Sequence, residues 1–310
     1  MAAKMKIAIV GTGAMGSIYA ALFAEAGHKV WAFDIWQDHV DAINEAGLRL
    51  SGTSGDRLVT GIIAVNDLHL ADPCELYIVA TKGAGVEAAA RAIAKVKPMD
   101  AIVLSIQNGL GAGDRITQFL NSEAILLGVA DGFGASICGP GHAHHDAMKL
   151  IRLGELNGGA SPRLSWLEEL WISAGFNAQA FDDIHQLIWE KFICNVALSG
   201  PCTVFDCAIG ELLENPEWRL VAFGCLREAF SVGQAEGIKF SFSDPVDYLK
   251  SFVAMMPAAS PSMRQDHAAR RRSEIDSING MVPVVSKRHG LQSPYNTTIS
   301  ALVRRTEEQF

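Results

Sequence analysis

The sequence predicts an α/β fold in which a parallel sheet with helices on both faces is followed by a mostly helical region. Up to about residue 181, short apolar runs alternate with helix-length stretches, a pattern typical of parallel sheets covered on both faces. From about Asp182, long apolar stretches at helical spacing dominate. We therefore expect two domains, residues 1–181 and residues 182–310, the second of them all-helical.

Length and composition agree with this division. A chain of 310 residues is too long for one ordinary core, and 49% hydrophobic with 19% charged residues is the composition of a globular enzyme. The net charge is −8 and no run of like charge exceeds the three arginines at 270–272, which argues against a nucleic-acid partner. The chain lacks an apolar run of about 18 residues and a signal-peptide pattern, so we expect no membrane span and a cytoplasmic location.

The individual elements follow from local signals. β-branched and apolar runs predict strands at residues 6–10, 29–33, 75–80, 101–105, 125–129 and 148–154. An alanine-rich stretch predicts a helix at residues 14–26, ended by Gly27. Helical spacing predicts further helices at residues 184–198, 218–235, 273–289 and 295–309, with turns at residues 200–201, 237 and 260–261.

A glycine motif lies between the first predicted strand and the first predicted helix. Gly11, Gly13 and Gly16 form G-x-G-x-x-G, in which the glycines allow a tight turn, close approach of the backbone to a pyrophosphate and close packing of helix on strand. A purely structural turn is the alternative. The flanking strand and helix favour a dinucleotide site, whose predicted loop residues are Gly11, Thr12, Gly13, Ala14, Met15 and Gly16.

Asp34 follows the second predicted strand. A carboxylate at this spacing accepts hydrogen bonds from the adenine ribose hydroxyls and repels a 2′-phosphate, and the next residues, Ile35, Trp36 and Gln37, include no arginine. The residue chemistry therefore favours NADH and a Rossmann-type doubly wound sheet. The alternative is that Asp34 only caps the helix that begins at Gln37.

Two further polar residues come just after predicted strands. Lys82 and Asn108 each lie past the carboxyl end of a strand, the edge at which doubly wound sheets bind ligands. A solvated lysine and an ordinary Asn-Gly turn explain them equally well.

The first predicted helix of the second domain carries a polar stripe. Lys191, Asn195 and Ser199 are spaced four residues apart and project from one side of an otherwise apolar helix. Reduction of a carbonyl needs a proton donor at its oxygen, and a positioned lysine can supply it. A lysine with a buried stem and a solvated head is the alternative.

Two other clusters have ordinary explanations. Residues 260–266 and Glu274 carry charges that are more typical of a solvated helix face than of an active site. His142, His144 and His145 lie in one predicted loop, and only Asp146 stands at convincing spacing for a further metal ligand. We therefore interpret them as a polar surface loop and expect no metal site.

Four segments resemble one enzyme family. Residues 6–16, the turn Gln107-Asn108-Gly109, the helix with Lys191 and Asn195, and residues 260–263 with residues 270–280 resemble ketopantoate reductase (2-dehydropantoate 2-reductase) in the same order along the chain. The resemblance implies hydride transfer from NADPH to C2 of a small 2-keto acid. It points first to reduction of 2-dehydropantoate to (R)-pantoate, in pantothenate biosynthesis.

The resemblance also implies roles for individual residues. Lys191 would be the general acid and Glu274 would complete the catalytic polar network. The remaining implied positions are Asn108, Asn195, Ser199 and Ser262 for the substrate, and Lys82, Asn108 and Glu274 for the cofactor.

Three positions depart from the family pattern. Asp34 stands where a basic residue often meets the 2′-phosphate of NADPH, and Ser199 and Ile209 stand where asparagines are common. These departures suit an NAD-dependent D-2-hydroxyacid dehydrogenase of the D-mandelate or 2-ketoisovalerate type, which the family also contains.

A 6-phosphogluconate-like or 3-hydroxyacid dehydrogenase fits residues 260–280 poorly. A non-catalytic dinucleotide sensor would not need Lys191 and Glu274. Apolar helices in the second domain suggest a homodimer.

Overall fold

The structure, a computed structural model, describes residues 4–132 and 134–310. It divides into two units. The first comprises the residues up to Gln107 together with Ala112–Ile184, and the second comprises Asn108–Gly111 together with His185–Phe310. The chain enters the helical unit three residues after the expected boundary at residue 181. The sequence did not suggest that Asn108–Gly111 would belong to the helical unit.

All strands described belong to the first unit. They are β1 Lys6–Val10, β2 Lys29–Phe33, β3 Leu48–Gly52, β4 Arg57–Val59, β5 Ile63–Val65, β6 Leu76–Val79, β7 Ile102–Ile106, β8 Ile125–Asp131, β9 Gly134–Gly139, β10 His142–Ala147, β11 Leu150–Glu155 and β12 Ala178–Ala180. The larger sheet has the order β12-β11-β8-β7-β6-β1-β2-β5 and is parallel except where β11 meets β8. Its six strands from β5 to β8 have the doubly wound Rossmann order, which confirms the predicted fold class.

The helices of the first unit cover its larger sheet. The second unit is built from helices alone among the described residues. The first set is α1 Ala14–Glu25, α2 Gln37–Ala46, α3 Val86–Val96, α4 Ala112–Thr117 and α5 Pro162–Ser173. The second set is α6 Ile184–Phe205, α7 Ile209–Glu214, α8 Pro216–Ala235, α9 Pro245–Ala254, α10 Ser262–Ala268, α11 Met281–Arg288 and α12 Pro294–Glu307.

A second, smaller sheet was not predicted. Its order is β4-β3-β10-β9, and it includes the three histidines that we expected in a loop. The predicted loop is therefore wrong for all three residues, and His145 is also fully buried, which contradicts the predicted surface position. The short strands of this sheet mix polar and apolar residues, and only their packing against α1 separates an inner from an outer face.

Helix α1 is buried along most of its length, from Gly16 to Phe23. It packs against β2 of the larger sheet and against β9 and β10 of the smaller one. A helix covered on both sides needs apolar residues all round, which explains why its sequence shows no polar face. The rings of Tyr19 and Phe23 on α1 each pack edge to face against the Trp171 ring on α5.

The predicted turn at residues 200–201 is wrong, because α6 continues through Pro201 to Phe205. A proline removes one helical hydrogen bond, and packing within this unit compensates for the loss. A side chain at Gly200 would lie 2.4 Å from Ile299 and 2.6 Å from Asn279, so the helix is closely packed at this point.

The predicted helix over residues 273–289 is wrong in its first half. Residues 274–280 form successive turns, and only Met281–Arg288 is helical. The backbone N–H and hydroxyl of Ser273 both donate to the Glu307 carboxylate, and the Asn279 amide donates to the Val196 carbonyl. These polar groups bond to distant parts of the unit, an alternative that competes with local helix formation.

Each unit has its own hydrophobic core. The core of the first unit lies around α1 and the two sheets, and that of the second surrounds α6. Within the described ranges, no helix combines the length and the apolar character needed to cross a membrane.

Three buried histidines of the first unit predict a pH dependence of stability. Burial lowers the pKa of His28, His39 and His145 below the ordinary value of 6.5, although neighbouring carboxylates partly oppose this. Below pH 6.5 the unfolded chain therefore binds more protons than the folded chain, and the free energy of unfolding should fall as the pH drops. Denaturant unfolding measured from pH 8 to pH 5 checks this. Constant or rising stability over that interval would contradict it.

Candidate active site

The glycine loop joins β1 to α1. Gly11 has φ +95°, and a side chain there would lie 2.7 Å from the Thr81 backbone, so this position requires glycine. A side chain at Gly16 would lie 2.0 Å from the Gly11 carbonyl, whereas Gly13 has open space on the corresponding side. No side chain caps α1 and its first turn carries no acidic residue. The loop therefore leaves room for a phosphate group at the start of the helix.

Asp34 lies next to this loop. The N–H groups of Gly11 and Thr12 both donate to the Phe33 carbonyl, and the Thr12 hydroxyl lies 3.5 Å from Asp34 Oδ2. Asp34 Oδ1 accepts the Trp36 N–H at 3.0 Å, and Trp36 itself is the N-cap residue of α2. One carboxylate oxygen thus stabilises the turn into α2, while the other faces the glycine loop.

Two buried oxygens at the carboxyl ends of β6 and β7 fit a polar ligand. Within residues 4–132 and 134–310, Thr81 Oγ1 and Gln107 Oε1 have no hydrogen-bond partner. The Gln107 amide nitrogen donates to the Val79 carbonyl, which fixes the side chain at this edge. Buried polar atoms are rarely left unsatisfied, so this edge of the sheet suits a ligand with hydrogen-bonding groups. Lys82 is exposed at the same edge, directly after Thr81.

Three predicted residues meet in the helical unit. Lys191 Nζ donates to Asn108 Oδ1 at 3.0 Å, and Asn108 Nδ2 donates to Glu274 Oε2 at 3.2 Å. All three residues are partly buried. The chain of bonds satisfies both ends of the amide, because a lysine can only donate and a carboxylate can only accept.

The turn Asn108–Gly111 is held in position by the residues that follow Glu274. The Leu110 N–H donates to the Ser277 carbonyl at 3.0 Å. Gly109 has φ +83°, and a side chain there would lie 2.0 Å from the same carbonyl. The glycine is therefore required for the backbone approach that places Asn108 beside Glu274.

The other predicted substrate residues lie elsewhere on the helical unit. Asn195 and Ser199 follow Lys191 by one and two turns of α6, where Asn195 is partly buried and Ser199 is buried. Ser262 is exposed at the first residue of α10. Ile209 is buried at the first residue of α7.

Sequence reasoning missed several residues of these sites. Thr81 and Gln107 contribute side-chain oxygens and Ser277 contributes a backbone carbonyl, and single-sequence patterns hold no signal for where these groups lie in the fold. The Asn-Gly pair indicates a positive φ at Gly109, but no pattern indicates that the Ser277 carbonyl lies against this turn.

The histidines of the smaller sheet make a separate polar cluster. The Ser51 hydroxyl lies 2.9 Å from both His142 Nε2 and His144 Nδ1, and His144 Nε2 lies 3.5 Å from Asp146. Across the part of the chain that the structure describes, no group of three or more His, Cys, Asp or Glu side chains is arranged to hold a metal ion.

Comparison with known proteins adds to this geometry. Residues 7–158 match the family model described as ketopantoate reductase PanE/ApbA, and residues 183–307 match the model of its C-terminal part. A protein named 2-dehydropantoate 2-reductase from Streptococcus pyogenes is 29% identical to this chain over 304 residues, 98% of each chain.

Two solved structures are similar to this chain over nearly its whole length. A PanE/ApbA family ketopantoate reductase from Ralstonia eutropha is 29% identical with a TM-score of 0.90, covering 98% of this chain and 99% of that one. A D-mandelate dehydrogenase with NADH and anilino(oxo)acetate is 28% identical with the same TM-score and the same coverage. Because the two family models match in order over most of its length, the chain belongs to the ketopantoate reductase family.

Proposed function

We propose that this protein reduces the C2 carbonyl of a small 2-keto acid, and that its first substrate is 2-dehydropantoate, giving (R)-pantoate. The observation that carries this proposal is the hydrogen-bonded chain from Lys191 through Asn108 to Glu274. It holds a cationic proton donor in a defined direction, which carbonyl reduction requires.

Each of the three hydrogen-bonded residues has a distinct role. Lys191 Nζ stabilises the negative charge that develops on the substrate oxygen and transfers a proton to it. Asn108 Oδ1 accepts one Lys191 proton and so orients the ammonium group. Glu274 accepts from Asn108 Nδ2 and prevents the amide from turning round. Asn195, Ser199 and Ser262 are the proposed hydrogen-bonding partners of the substrate.

A nicotinamide dinucleotide would supply the hydride when bound. The glycine loop, Asp34 and the carboxyl edge of β6 with Lys82 would hold it, and the open space at Gly13 supports this placement. Asp34 favours NADH, because a 2′-phosphate beside its carboxylate would be repelled. Although family resemblance favours NADPH, we propose NADH as the cofactor because of Asp34.

A second candidate is an NAD-dependent D-2-hydroxyacid dehydrogenase. Two observations favour it: Asp34 beside the glycine loop, and the apolar Ile209 buried at the start of α7, where the family often has an asparagine. The similarity to a D-mandelate dehydrogenase is consistent with it. The homodimer and the cytoplasmic location expected from the sequence stay predictions.

Substrate preference separates the two candidates. We expect kcat/KM for 2-dehydropantoate to exceed that for 2-ketoisovalerate, which lacks the hydroxymethyl group, by about tenfold or more, because a site that bonds a hydroxyl loses that bond with the smaller acid. Initial rates with 2-dehydropantoate, 2-ketoisovalerate and benzoylformate, each with NADH and NADPH, measure this. Higher efficiency with the two acids that lack the hydroxymethyl group would establish the second candidate instead.

Replacement of the proposed acid should affect turnover and not dinucleotide binding. Lys191→Met keeps the length of the side chain but removes the proton, and kcat should fall about 10²- to 10⁴-fold while the Kd for NADH stays within about twofold. Steady-state kinetics and a fluorescence titration with NADH measure the two effects. Lys250→Met, on an exposed part of the helical unit, is the matched control. Unchanged kcat in Lys191→Met would remove Lys191 from the chemistry.

Reversal of charge at residue 34 should change cofactor preference. Asp34→Arg removes the acceptor for the ribose hydroxyls and adds a partner for the 2′-phosphate, so the Kd for NADH should rise about tenfold or more and that for NADPH should fall. Asp38→Arg, in the exposed first turn of α2, introduces the same charge nearby as a control. If Asp34→Arg binds NADH as tightly as the wild type, Asp34 serves only the turn into α2.

A further inference from the structure

His39 is a polar residue in the core of the first unit. It lies in the first turn of α2 and is 0% exposed. The Trp36 indole stacks on its ring, with centroids 5.3 Å apart and the planes 10° from parallel. Most buried polar side-chain atoms have hydrogen-bond partners, and the partners of a buried imidazole define what the residue does.

The partners of His39 determine its tautomer. The Gly141 N–H, in the turn between β9 and β10, donates to His39 Nδ1 at 3.0 Å. Nδ1 is therefore the acceptor, and the ring proton resides on Nε2. Burial lowers the pKa of His39, against the opposing effects of Asp34 and the Thr12 backbone, and so favours this neutral form at pH 7.

The Nε2 side of the ring faces the glycine loop. Nε2 lies 3.4 Å from the Ser17 hydroxyl, and that hydroxyl donates to the Thr12 carbonyl at 2.7 Å. Because Nε2 carries the proton, the bonds run in one direction, from the Gly141 N–H to His39, then to Ser17, then to the Thr12 carbonyl. Thr12 is the second residue of the glycine motif.

The position of the Thr12 carbonyl determines the direction of the next N–H group. A trans peptide is planar, so its C=O and N–H bonds point in opposite directions. Ser17 is fully buried and draws the Thr12 carbonyl inward, which turns the Gly13 N–H outward. The space next to Gly13 is open to beyond 4 Å, whereas the flanking glycines Gly11 and Gly16 are closely packed.

We propose that His39 is a positioning residue of the dinucleotide site, which acts through Ser17 and the Thr12 carbonyl to direct the Gly13 N–H at the pyrophosphate. The proposal rests on the assignment of the glycine loop to a dinucleotide under the proposed function. It also gives the smaller sheet a role, because the Gly141 N–H that selects the tautomer belongs to the turn of its β9–β10 hairpin.

Two substitutions of His39 separate its two hydrogen bonds. In His39→Asn the amide reaches only the place of Nδ1 and can still accept the Gly141 N–H, but it cannot reach Ser17. In His39→Gln the amide nitrogen reaches the place of Nε2 and can still donate to Ser17. We expect His39→Asn to raise the Kd for NADH and for ADP-ribose about fivefold, the effect of one lost hydrogen bond, and His39→Gln to stay within about twofold of the wild type.

Kinetic parameters and a control variant distinguish positioning from general destabilisation. At saturating NADH, kcat and the KM for the keto acid should be unchanged in His39→Asn, while the KM for NADH rises. His28→Gln is the matched control, because His28 is also buried in this unit and accepts a backbone N–H, that of Met5, but bonds to no part of the glycine loop. It should lower Tm without changing the Kd for ADP-ribose.

Ser17→Ala tests the same path from its other end. It removes a single buried oxygen and should weaken ADP-ribose binding to the same extent as His39→Asn, and the double variant should be no weaker than either single variant. Should His39→Asn fail to fold, Ser17→Ala and His39→Gln still decide the question.

The outcomes separate this proposal from the proposed function. If the wild type binds ADP-ribose and Ser17→Ala binds it equally tightly, the positioning role is wrong and the dinucleotide site stands. Equal weakening by His39→Asn and His39→Gln also overturns the role, since only ring packing is then lost. If the wild type binds none of NADH, NADPH and ADP-ribose, the proposed function fails and this role with it.

Discussion

The amide of Asn108 is the constraint on which the candidate catalytic site depends. It can satisfy a lysine and a carboxylate together in only one orientation, with its oxygen toward Lys191 and its nitrogen toward Glu274. Exchange of the two ends would set two donors face to face at Lys191 and two acceptors at Glu274. An ammonium group held by such a partner has a defined direction, whereas a lysine on an exposed helix face samples many rotamers at a considerable entropic cost of ordering.

The glycine loop uses the same physical principle with backbone groups. Three peptide planes at the start of the loop are oriented by partners outside it: the Phe33 carbonyl accepts from the N–H groups of Gly11 and Thr12, and the Ser17 hydroxyl donates to the Thr12 carbonyl. The bond that places Phe33 there also brings Asp34 beside Thr12. A loop rich in glycine is flexible by itself, so its defined shape comes from these neighbours.

Local patterns predicted the elements that are governed by short-range chemistry. Strands β1 and β2 have the predicted bounds and helix α2 begins at the predicted residue, since apolar runs, glycine turns and helix termini are encoded within a few residues. The predictions failed where distant groups compete with local preference. Helix α6 continues through Pro201 because of the close packing around Gly200. Residues 273–280 are not helical because Ser273 and Asn279 hydrogen-bond to Glu307 and Val196. The histidines of β10 form a strand only because β3 and β9 lie on either side of it.

The sequence by itself determined the family of this protein, its two-unit order and the identity of the proposed site residues, because a glycine motif, a lysine at helical spacing and an Asn-Gly turn are readable from residue types. The tertiary structure decided which of these residues meet. Asn108 and Glu274 are separated by more than half of the chain, and Gly141 is far from His39 and Ser17 in sequence. Hydrogen bonds between such residues form only after the chain has folded, since no local pattern records the distance between two atoms that are remote in sequence.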